Sequence, residues 1–346
     1  MVPRRERTAT ISDIARVAGV AKSTVSKALN GAIGISPETR EKILRIAEEL
    51  NYRPSIIAQS LKSKRTRAIG LVLPNIMNPF FLSILKGVED AAIDNGYVVV
   101  FCESDNKKRK ESTYFQIFEE RWVDGVIFSG VDNDSEEERY IRSLHERGIP
   151  VVLIDREIEG YFTNAVMIDN KGAAFSATTY LLELGHKKIA TIVGPQKIRI
   201  FAKRFEGYKL ALEKYGVKLD PKLVVEEDLS VEGGSRAIQK LLSQGLTFTA
   251  VFAHNDLMAI GCMKELQRNG IAIPGDVSVV GFDDIPLALL VTPSLTTVAQ
   301  PAYEMGVEAV SLIKKSIEGG GGMESKVILP TKLVLRESVA PPPLFT

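Results

Sequence analysis

From Ala68 onward, the sequence alternates short apolar runs rich in Val and Ile with amphipathic stretches of helical length. The runs AIGLVL, YVVVFC, GVIFS and PVVLI come first, and the pattern restarts with AVMI, KIATIV, LVVE, TAVFA and VSVVG. Strands that are apolar throughout and alternate with helices are typical of parallel sheets covered on both faces. The pattern therefore predicts an α/β core of two similar doubly wound parallel-sheet subdomains.

The residues before this core follow a helical pattern instead. Between Thr10 and Asn30, apolar residues recur at helical spacing from Ile11 to Ala18 and from Val25 to Leu29, with Gly19 at the break between the two segments. The other side of the second segment carries Ser and Lys side chains, which fit a DNA major groove. The spacing alone is equally compatible with a helix-turn-helix and with a helical hairpin that only packs.

A third helix and a short connector follow this pair. Ser36 and Pro37 provide an N-cap and a proline at the first helical position, and the apolar face from Ile43 to Leu50 can close the core of an all-α headpiece. The connector contains SIIAQSLK, a helical pattern of about two turns, which is too short to fold without a partner.

Charge separates these two parts of the chain. Residues 1–67 contain 14 Lys and Arg against 6 Asp and Glu, a net charge of +8, whereas the remainder contains 30 against 37, a net charge of −7. A basic end on an acidic body is typical of a polyanion-binding head on a regulatory or catalytic core.

Composition narrows the classes of protein to which the chain can belong. The chain has 346 residues, 45% of them apolar, and no apolar run approaches the ~18 residues that a membrane span requires. Its N-terminus lacks the apolar segment of a signal peptide, so we expect a cytoplasmic protein with no membrane partner. Cys102 and Cys262 lie in apolar patterns and are expected to be buried free thiols.

No pattern points to catalysis. His145, His186 and His254 lie in unrelated segments, and no glycine-rich phosphate loop precedes a helix. The acidic run at 132–138 lacks the central glycine of a calcium-binding loop. We therefore expect no enzyme activity, no cofactor and no metal site. An enzyme or binding protein that carries a DNA-binding head is the alternative, and turnover of a bound sugar would reveal it.

Several motifs, in order, resemble the LacI/GalR family of bacterial transcription regulators, over about Thr10 to Glu337. TISDIARVAGVAKSTVSKALNG, SPETREKILRIAEELNYRP and AQSLKSKRT resemble its headpiece and hinge, and NPFF, GFDDI and PSLTTVAQP resemble landmarks of its core. The resemblance implies a homodimer, a palindromic DNA operator and a periplasmic-binding-protein-like core that senses a small molecule.

On this basis the chain divides into a helix-turn-helix headpiece at 1–54, a hinge helix and linker at 55–67, and the core. The N-subdomain of the core is assigned to 68–167 with 298–326, and the C-subdomain to 168–297 with 327–340.

The resemblance also implies which residues contact DNA. The base-reading positions are occupied by Lys22, Ser23 and Lys27, and the phosphate-contacting positions by Thr10, Thr24, Ser26 and Asn30. Leu61, flanked by Ala58 and Lys62, stands where the family inserts a leucine into the minor groove at the operator centre. Packing of Leu61 on its counterpart in the second hinge is the alternative. Ala21 departs from the family, which commonly opens the recognition helix with a serine that caps it or contacts phosphate.

The ligand pocket is expected in the cleft between the subdomains, because ligands of open parallel sheets bind beyond the carboxyl ends of the strands. The pattern and the resemblance place Asn78, Phe80, Phe81, Asp155, Arg204, Leu229, Asn255 and Asp283 there. Arg204 and Asp283 suit a polyhydroxylated ligand, since a guanidinium offers paired donors and a carboxylate accepts from two hydroxyls. An interdomain ion pair between Arg204 and Asp283 is the alternative.

The effector is expected to be a sugar or sugar derivative, but the pocket departs from that of familiar sugar sensors. Leu229 and Ala302 stand where some relatives carry an aromatic that stacks on the sugar, and Ile198 and Ile200 replace polar residues that nucleobase sensors use. Either Phe80, Phe81 and Tyr161 supply an aromatic wall instead, or the ligand is less polar than a free hexose.

A second hypothesis keeps the DNA-binding head but makes the corepressor a phosphorylated carrier protein, as in catabolite-control regulators. QPAYEMG and the helix from Pro79 to Asn95 resemble that branch.

Overall fold

The computed structural model describes residues 9–29, 32–52, 65–105, 107–129, 135–156, 163–319 and 325–343. The chain forms two compact units, Met1–Thr66 and Arg67–Thr346.

The first unit contains the helices α1 (Ile11–Ala18), α2 (Lys22–Leu29) and α3 (Pro37–Glu49). Thr10 caps α1 through a reciprocal pair of hydrogen bonds: its hydroxyl accepts from the Asp13 backbone N–H, and the Asp13 carboxylate accepts from the Thr10 backbone N–H. Gly19 ends α1 at φ 69°, a left-handed conformation that allows the sharp turn into α2.

The core of this unit is the predicted one. Ser36 caps α3 and Pro37 opens it. Ile14, Val25 and Ile43, one from each helix, are fully buried against each other in one cluster. Since each helix is too short to be stable alone, this shared core is what holds the helices together.

The second unit alternates strands and helices as predicted. Its first half contains β1 (Ala68–Leu73), α4 (Pro79–Asp94), β2 (Val98–Glu103), α5 (Lys108–Ile117), a π-helical turn (Phe118–Trp122), β3 (Gly125–Phe128), α6 (Ser135–Glu146), β4 (Val151–Ile154) and β5 (Asn164–Ile168). Its second half contains α7 (Asn170–Glu183), β6 (Ile189–Val193), α8 (Arg199–Lys214), β7 (Val224–Glu226), α9 (Val231–Ser243), β8 (Ala250–Ala253), α10 (Asp256–Arg268), β9 (Ser278–Asp283), α11 (Pro286–Leu290), β10 (Thr296–Ala299), α12 (Ala302–Glu318), β11 (Lys326–Leu329) and β12 (Lys332–Val334).

The strands form two six-stranded sheets, with the orders β11-β5-β4-β3-β1-β2 and β12-β10-β9-β8-β6-β7. All neighbours are parallel except β10 and β12. The prediction of two doubly wound parallel sheets is therefore confirmed. These sheets share one continuous cluster of buried residues, which includes Leu71 of β1 and Phe252 of β8.

One grouping of strands was wrong. The run AVMI lies in β5, which pairs with β4 in the first sheet and does not begin the second. The chain crosses between sheets after Ile168, after Ala299 and after Leu329, each slightly later than the predicted boundaries. Hydrophobic patterns show where a strand is but not which sheet it joins, because strands buried on both faces look alike in either.

None of the described helices is long and apolar enough to cross a lipid bilayer.

Candidate functional site

A cavity that is partly open to solvent lies between the two sheets, at the carboxyl ends of their strands. It is lined by Pro74, Asn75, Asn78, Phe80, Phe81, Ser129, Asp155, Ile198, Ile200, Phe201, Arg204, Leu229, Asn255, Asp283 and Gln300. All the residues predicted for the ligand pocket are among them. The parallel order explains most of this convergence, because Asp155, Asn255 and Asp283 stand at or just after the ends of strands, and these ends meet at one edge of each sheet. Arg204 reaches the cavity from α8.

Arg204 is the most deeply buried cation of the cavity, with a side chain only 2% exposed. The α8 helix carries it, and its guanidinium lies 3.7 Å from the centre of the Phe282 ring, which fixes the orientation of the plane. Its Nε donates to Asn170 Oδ1 at 2.7 Å and its Nη1 to the His254 carbonyl at 2.5 Å. The remaining N–H groups face two carboxylates.

Those carboxylates belong to Asp155 of the first subdomain and Asp283 of the second. Arg204 Nη2 lies 3.7 Å from Asp155 Oδ2, and Nη1 lies 3.8 Å from Asp283 Oδ1. Both distances exceed those of a direct hydrogen bond. The ion pair that spans the cleft is Arg204 with Asp155, whereas Arg204 and Asp283 lie in the same subdomain. The alternative of an interdomain pair between Arg204 and Asp283 is therefore wrong about the partner.

Asn170 connects these groups and was not found from the sequence. Its side chain donates to Asp155 Oδ1 at 2.8 Å and accepts from Arg204 Nε, and the residue is 1% exposed. It stands at the first position of α7, just after the chain crosses to the second sheet. Its position two residues after the end of β5 marks it as a possible cavity residue, but its role depends on two partners that are distant in sequence.

Burial controls the protonation of the carboxyl groups. It raises the pKa of Asp283 to about 7, although Arg204 and hydrogen bonds from Gln300 and Asn78 oppose the shift. It also raises the pKa of the Asp256 carboxyl well above the usual range, and the charge of Asp283 adds to this effect. Burial raises the pKa of Asp155 too, against the attraction of Arg204. The cavity therefore holds one carboxyl group, that of Asp283, whose pKa lies near neutral pH.

The backbone at two of these carboxylates is strained. Asp155 has φ 50° and Asp283 has φ 117°, conformations that L-residues with a side chain rarely adopt. Each residue lies at the end of a strand, where the chain turns into the cleft. Strain of this kind persists where surrounding contacts over-determine the backbone and is concentrated at binding sites.

The rest of the lining is largely apolar. Phe80 and Phe81 come from the first turn of α4, with their rings edge to face at 5.2 Å. Ile198, Ile200 and Leu229 come from the second subdomain. Ala302 lies outside the cavity lining, at the first position of α12, and Tyr161 lies outside the described residues.

Sequence reasoning missed other lining residues as site members: Pro74, Asn75, Ser129, Phe201 and Gln300. Asn75, Ser129 and Gln300 each follow the end of a strand, so the rule that located Asp155 could have found them. Phe201 lies inside a helical pattern, where an aromatic residue indicates a core position.

In the headpiece, the predicted base-reading residues lie on one helix. Lys22, Ser23 and Lys27 of α2 are exposed, and Thr24 and Ser26 are half-buried on the same helix. Thr10 is exposed and caps α1. Asn30, Ala58, Leu61 and Lys62 lie outside the described residues.

Comparison with known proteins agrees with this arrangement. Residues 10–55 match the family described as bacterial regulatory proteins, lacI family, and residues 178–339 match the periplasmic binding protein-like domain. The chain is 35% identical to the HTH-type transcriptional regulator DegA of Bacillus subtilis (strain 168), over 96% of this chain and 98% of DegA. The chain belongs to the LacI family.

Solved structures of LacI-family proteins share the fold. The lac repressor dimer bound to operator and the anti-inducer ONPF superposes with a TM-score of 0.87 at 26% identity, over 96% of this chain and 100% of that one. The transcriptional regulator CelR in complex with cellobiose gives a TM-score of 0.74 at 32% identity, over 95% of this chain and 99% of that one. As a LacI-family member, the protein is a DNA-binding transcriptional repressor regulated by an effector, and not an enzyme.

Proposed function

We propose that this protein is a homodimeric repressor that binds a palindromic operator and is switched by a sugar or sugar derivative in the cavity between its subdomains. The observation that carries the proposal is the gap of 3.7 to 3.8 Å between the buried Arg204 guanidinium and the carboxylates of Asp155 and Asp283. A ligand hydroxyl beside each of these pairs accepts from the guanidinium and donates to the carboxylate, and so bridges the two groups from the side.

Such a ligand adds hydrogen bonds to buried charged groups. Asp155 accepts from Asn170 and Asp283 accepts from Gln300, but the Arg204 guanidinium lies beyond direct hydrogen-bond distance of both carboxylates. Loss of one partner of a buried pair lowers stability by about 3–5 kcal/mol. Arg204 supplies a planar set of donors, and Asp155 and Asp283 supply acceptors on either side of the cleft. Vicinal hydroxyls on a ring match this alternation of donor and acceptor. CelR, with which this chain shares its fold, was solved as a complex with cellobiose.

The DNA-binding surface is the exposed face of α2. Lys22, Ser23 and Lys27 project from it. The small side chain of Ser23 allows the backbone to approach the base edges. We assign base reading to these residues, phosphate contacts to Thr10, Thr24, Ser26 and Asn30, and minor-groove insertion to Leu61 with its neighbours Ala58 and Lys62.

The homodimer is supported by apolar side chains that the second unit leaves exposed. Val98 and Val100 lie on one face of the edge strand β2 and are 62% and 41% exposed. Leu289 and Leu290 of α11 are 64% and 74% exposed. Exposed apolar patches of this kind indicate contact surfaces. A second copy of the chain is the occupant we propose, since the lac repressor, which has the same fold, was solved as a dimer.

The proposed switch depends on the cleft. A ligand that joins Arg204 to Asp155 binds the closed arrangement of the subdomains more tightly than the open one and shifts the population accordingly. The change in orientation at the dimer contact alters the spacing of the two hinge segments at 55–67, and so the register of the two headpieces on the operator.

The test is a mobility-shift titration on DNA from upstream of the gene, repeated at several salt concentrations and with a panel of mono- and disaccharides. Binding to one palindromic fragment that weakens steeply with salt, and that changes when one sugar is added, is the expected result. The double variant Lys22→Ala/Lys27→Ala should lose this binding, whereas Lys240→Ala, on the exposed side of α9, should keep it. Binding that is indifferent to sequence would refute operator recognition.

The carrier-protein hypothesis is less well supported. Its two segments do form one surface, where the Tyr303 hydroxyl donates to Asp90 at 3.2 Å and Lys86 pairs with Asp90 at 2.7 Å. These charges are exposed and lie within direct hydrogen-bond distance of each other, whereas the Arg204 guanidinium is buried and lies beyond that distance from Asp155 and Asp283. Calorimetric titration with a phosphorylated carrier protein, beside the sugar panel, distinguishes the two.

A further inference from the structure

One part of the cavity, formed by the segment after β6 and by Leu229, is aliphatic and aromatic. Ile198 and Phe201 are 6% and 5% exposed, and Ile200 and Leu229 are partly exposed. Gly194 makes this packing possible, because a Cβ atom there would lie 2.8 Å from both Leu229 Cδ2 and Phe201 Cγ. Four apolar side chains from one subdomain therefore form a continuous part of the lining, which we call the apolar wall.

The usual preference for a polar residue at the N-cap of a helix is not followed at this wall. The helices α4, α8 and α10 all begin at the cavity, at Asn78, Ile198 and Asn255. The asparagine side chains accept hydrogen bonds from the first turns of their helices, but Ile198 occupies the N-cap of α8 without a side-chain cap. Isoleucine is among the least favourable residues at an N-cap. A residue that destabilises its own helix is expected where its side chain serves a binding site.

Most hydrogen-bonding side chains of the cavity converge on one cluster, which borders the wall where Arg204 lies 5.3 Å from the centre of the Phe201 ring and Asn255 donates to the Leu229 carbonyl. Arg204, Asp155 and Asp283 converge on each other, and Gln300 donates to Asp283 at 2.7 Å. The Gln300 Oε1 atom is buried and has no hydrogen-bond partner among the described residues, so it adds an acceptor to the same polar cluster. A ligand hydroxyl placed against the side chains of Ile198 or Ile200 loses its water and meets carbon atoms, which is unfavourable.

We infer that the effector is a polyhydroxylated ring that carries an apolar substituent, and that this substituent lies against the apolar wall. This inference rests on the proposed function and narrows its ligand class. The substituent is either the methyl group of a deoxy sugar, in which hydrogen replaces a hydroxyl, or the alkyl or aryl group of a glycoside, in which carbon replaces the hydrogen of the anomeric hydroxyl. Either change alters affinity by about ten- to a hundredfold in an apolar site.

The experiment measures calorimetric affinities of the full-length protein for matched pairs of compounds. The first series pairs each deoxy sugar with its hydroxylated parent: L-rhamnose with L-mannose, L-fucose with L-galactose, D-fucose with D-galactose and D-quinovose with D-glucose. The second series compares the methyl and phenyl glycosides of these hexoses with the free sugars. The series that contains the tightest ligand identifies which substituent the wall accepts.

For each matched pair of compounds that binds the wild-type protein, the compound with the apolar substituent should bind at least about tenfold more tightly than its hydroxylated counterpart. Ile200→Ser should remove most of this preference, and Leu210→Ser, on the exposed side of the same helix, should leave it unchanged. Equal or tighter binding of the hydroxylated members, or an Ile200→Ser preference equal to that of the wild type, would overturn the inference and leave the proposed function intact. Failure of every sugar and glycoside to bind would overturn the proposed function itself.

Discussion

The headpiece and the cavity place the same kinds of charged side chain in opposite surroundings. Lys22 and Lys27 are exposed on α2, where water solvates them. Arg204 and Asp283 are nearly inaccessible to water and sit within a few ångströms of each other. The exposed lysines contribute little to folding and act on a polyanion at a distance, in a manner that salt screens. The buried groups interact strongly with their neighbours, so they influence stability, protonation and ligand choice together.

The largest difference should appear when one arginine is removed from each kind of surrounding. Arg204→Met leaves Asp155 and Asp283 buried without their cation, and should lower the free energy of unfolding by about 3–5 kcal/mol. Arg236→Met, in a surface pair with Glu227 and Asp228, should leave it almost unchanged. Urea denaturation of the two variants measures this contrast. Equal decreases in the free energy of unfolding would show that burial does not determine how much these charges contribute to stability.

The pH dependence of stability should come from the cavity. Because the folded protein keeps the pKa of Asp283 near 7, against an ordinary value of 3.8, the folded state binds more protons between about pH 4 and pH 7. Stability should therefore fall as the pH rises through this range, by at most about 1.4 kcal/mol per pH unit for this group.

Asp283→Asn should reduce that fall, and thermal unfolding at a series of pH values measures it. Asp155 and Asp256, whose pKa values burial also raises, contribute to the slope in the same direction. His145, His186 and His254, whose pKa values burial lowers, contribute in the opposite direction. Asp105→Asn is the control, because the pKa of this exposed carboxyl is lowered by its hydrogen bond to Lys107 and its substitution should not change the slope above pH 5. If Asp283→Asn left the dependence of stability on pH unchanged, the Asp283 carboxyl would not be a source of that dependence.

Substitution in the headpiece should change DNA binding without changing the core. Lys27→Ala should weaken operator binding by about ten- to a hundredfold and relax discrimination at one base pair, because a lysine in the major groove contacts guanine acceptors. Fluorescence anisotropy on the operator and on single-base variants of it measures both effects. Unchanged discrimination together with a reduced salt dependence would reassign Lys27 to a phosphate contact.

The smallest effect concerns the cap of α1. Thr10→Ala removes the hydroxyl that accepts from Asp13, and should destabilise the headpiece by about 1 kcal/mol while leaving the core unaffected. Hydrogen exchange of the α1 amides measures this local change. Ser12→Ala, on the exposed side of the same helix, should have little effect. Equal losses in the two variants would show that the cap is not what stabilises α1.

Much of the architecture was predictable because it depends on local pattern. The Ser36 cap, the buried face at Ile43 and the alternation of strands and helices all follow from the residues within a few positions of each other. The assignment of AVMI failed, because β5 is defined by its pairing with β4 and not by its own residues.

The predicted pocket residues also show that contacts between distant parts of the chain cannot be predicted from local pattern. Asp155, Arg204 and Asp283 were found since each stands at a recognisable position in the pattern or in the family motifs. Asn170 escaped, although it contacts both Asp155 and Arg204, because its position in α7 carries no signal of those contacts.

The sequence by itself determined the local elements of this protein: where helices start, which runs are strands, which end is basic, and to which family the motifs belong. These properties depend on propensity, periodicity and charge, and each can be read over a short stretch of chain. Tertiary structure alone decided that Asp155 faces Arg204 across the cleft, that the Asp283 pKa is near 7, and that Asn170 hydrogen-bonds to both Asp155 and Arg204. Distances and burial of this kind arise only when strand ends far apart in sequence converge at one edge of each sheet.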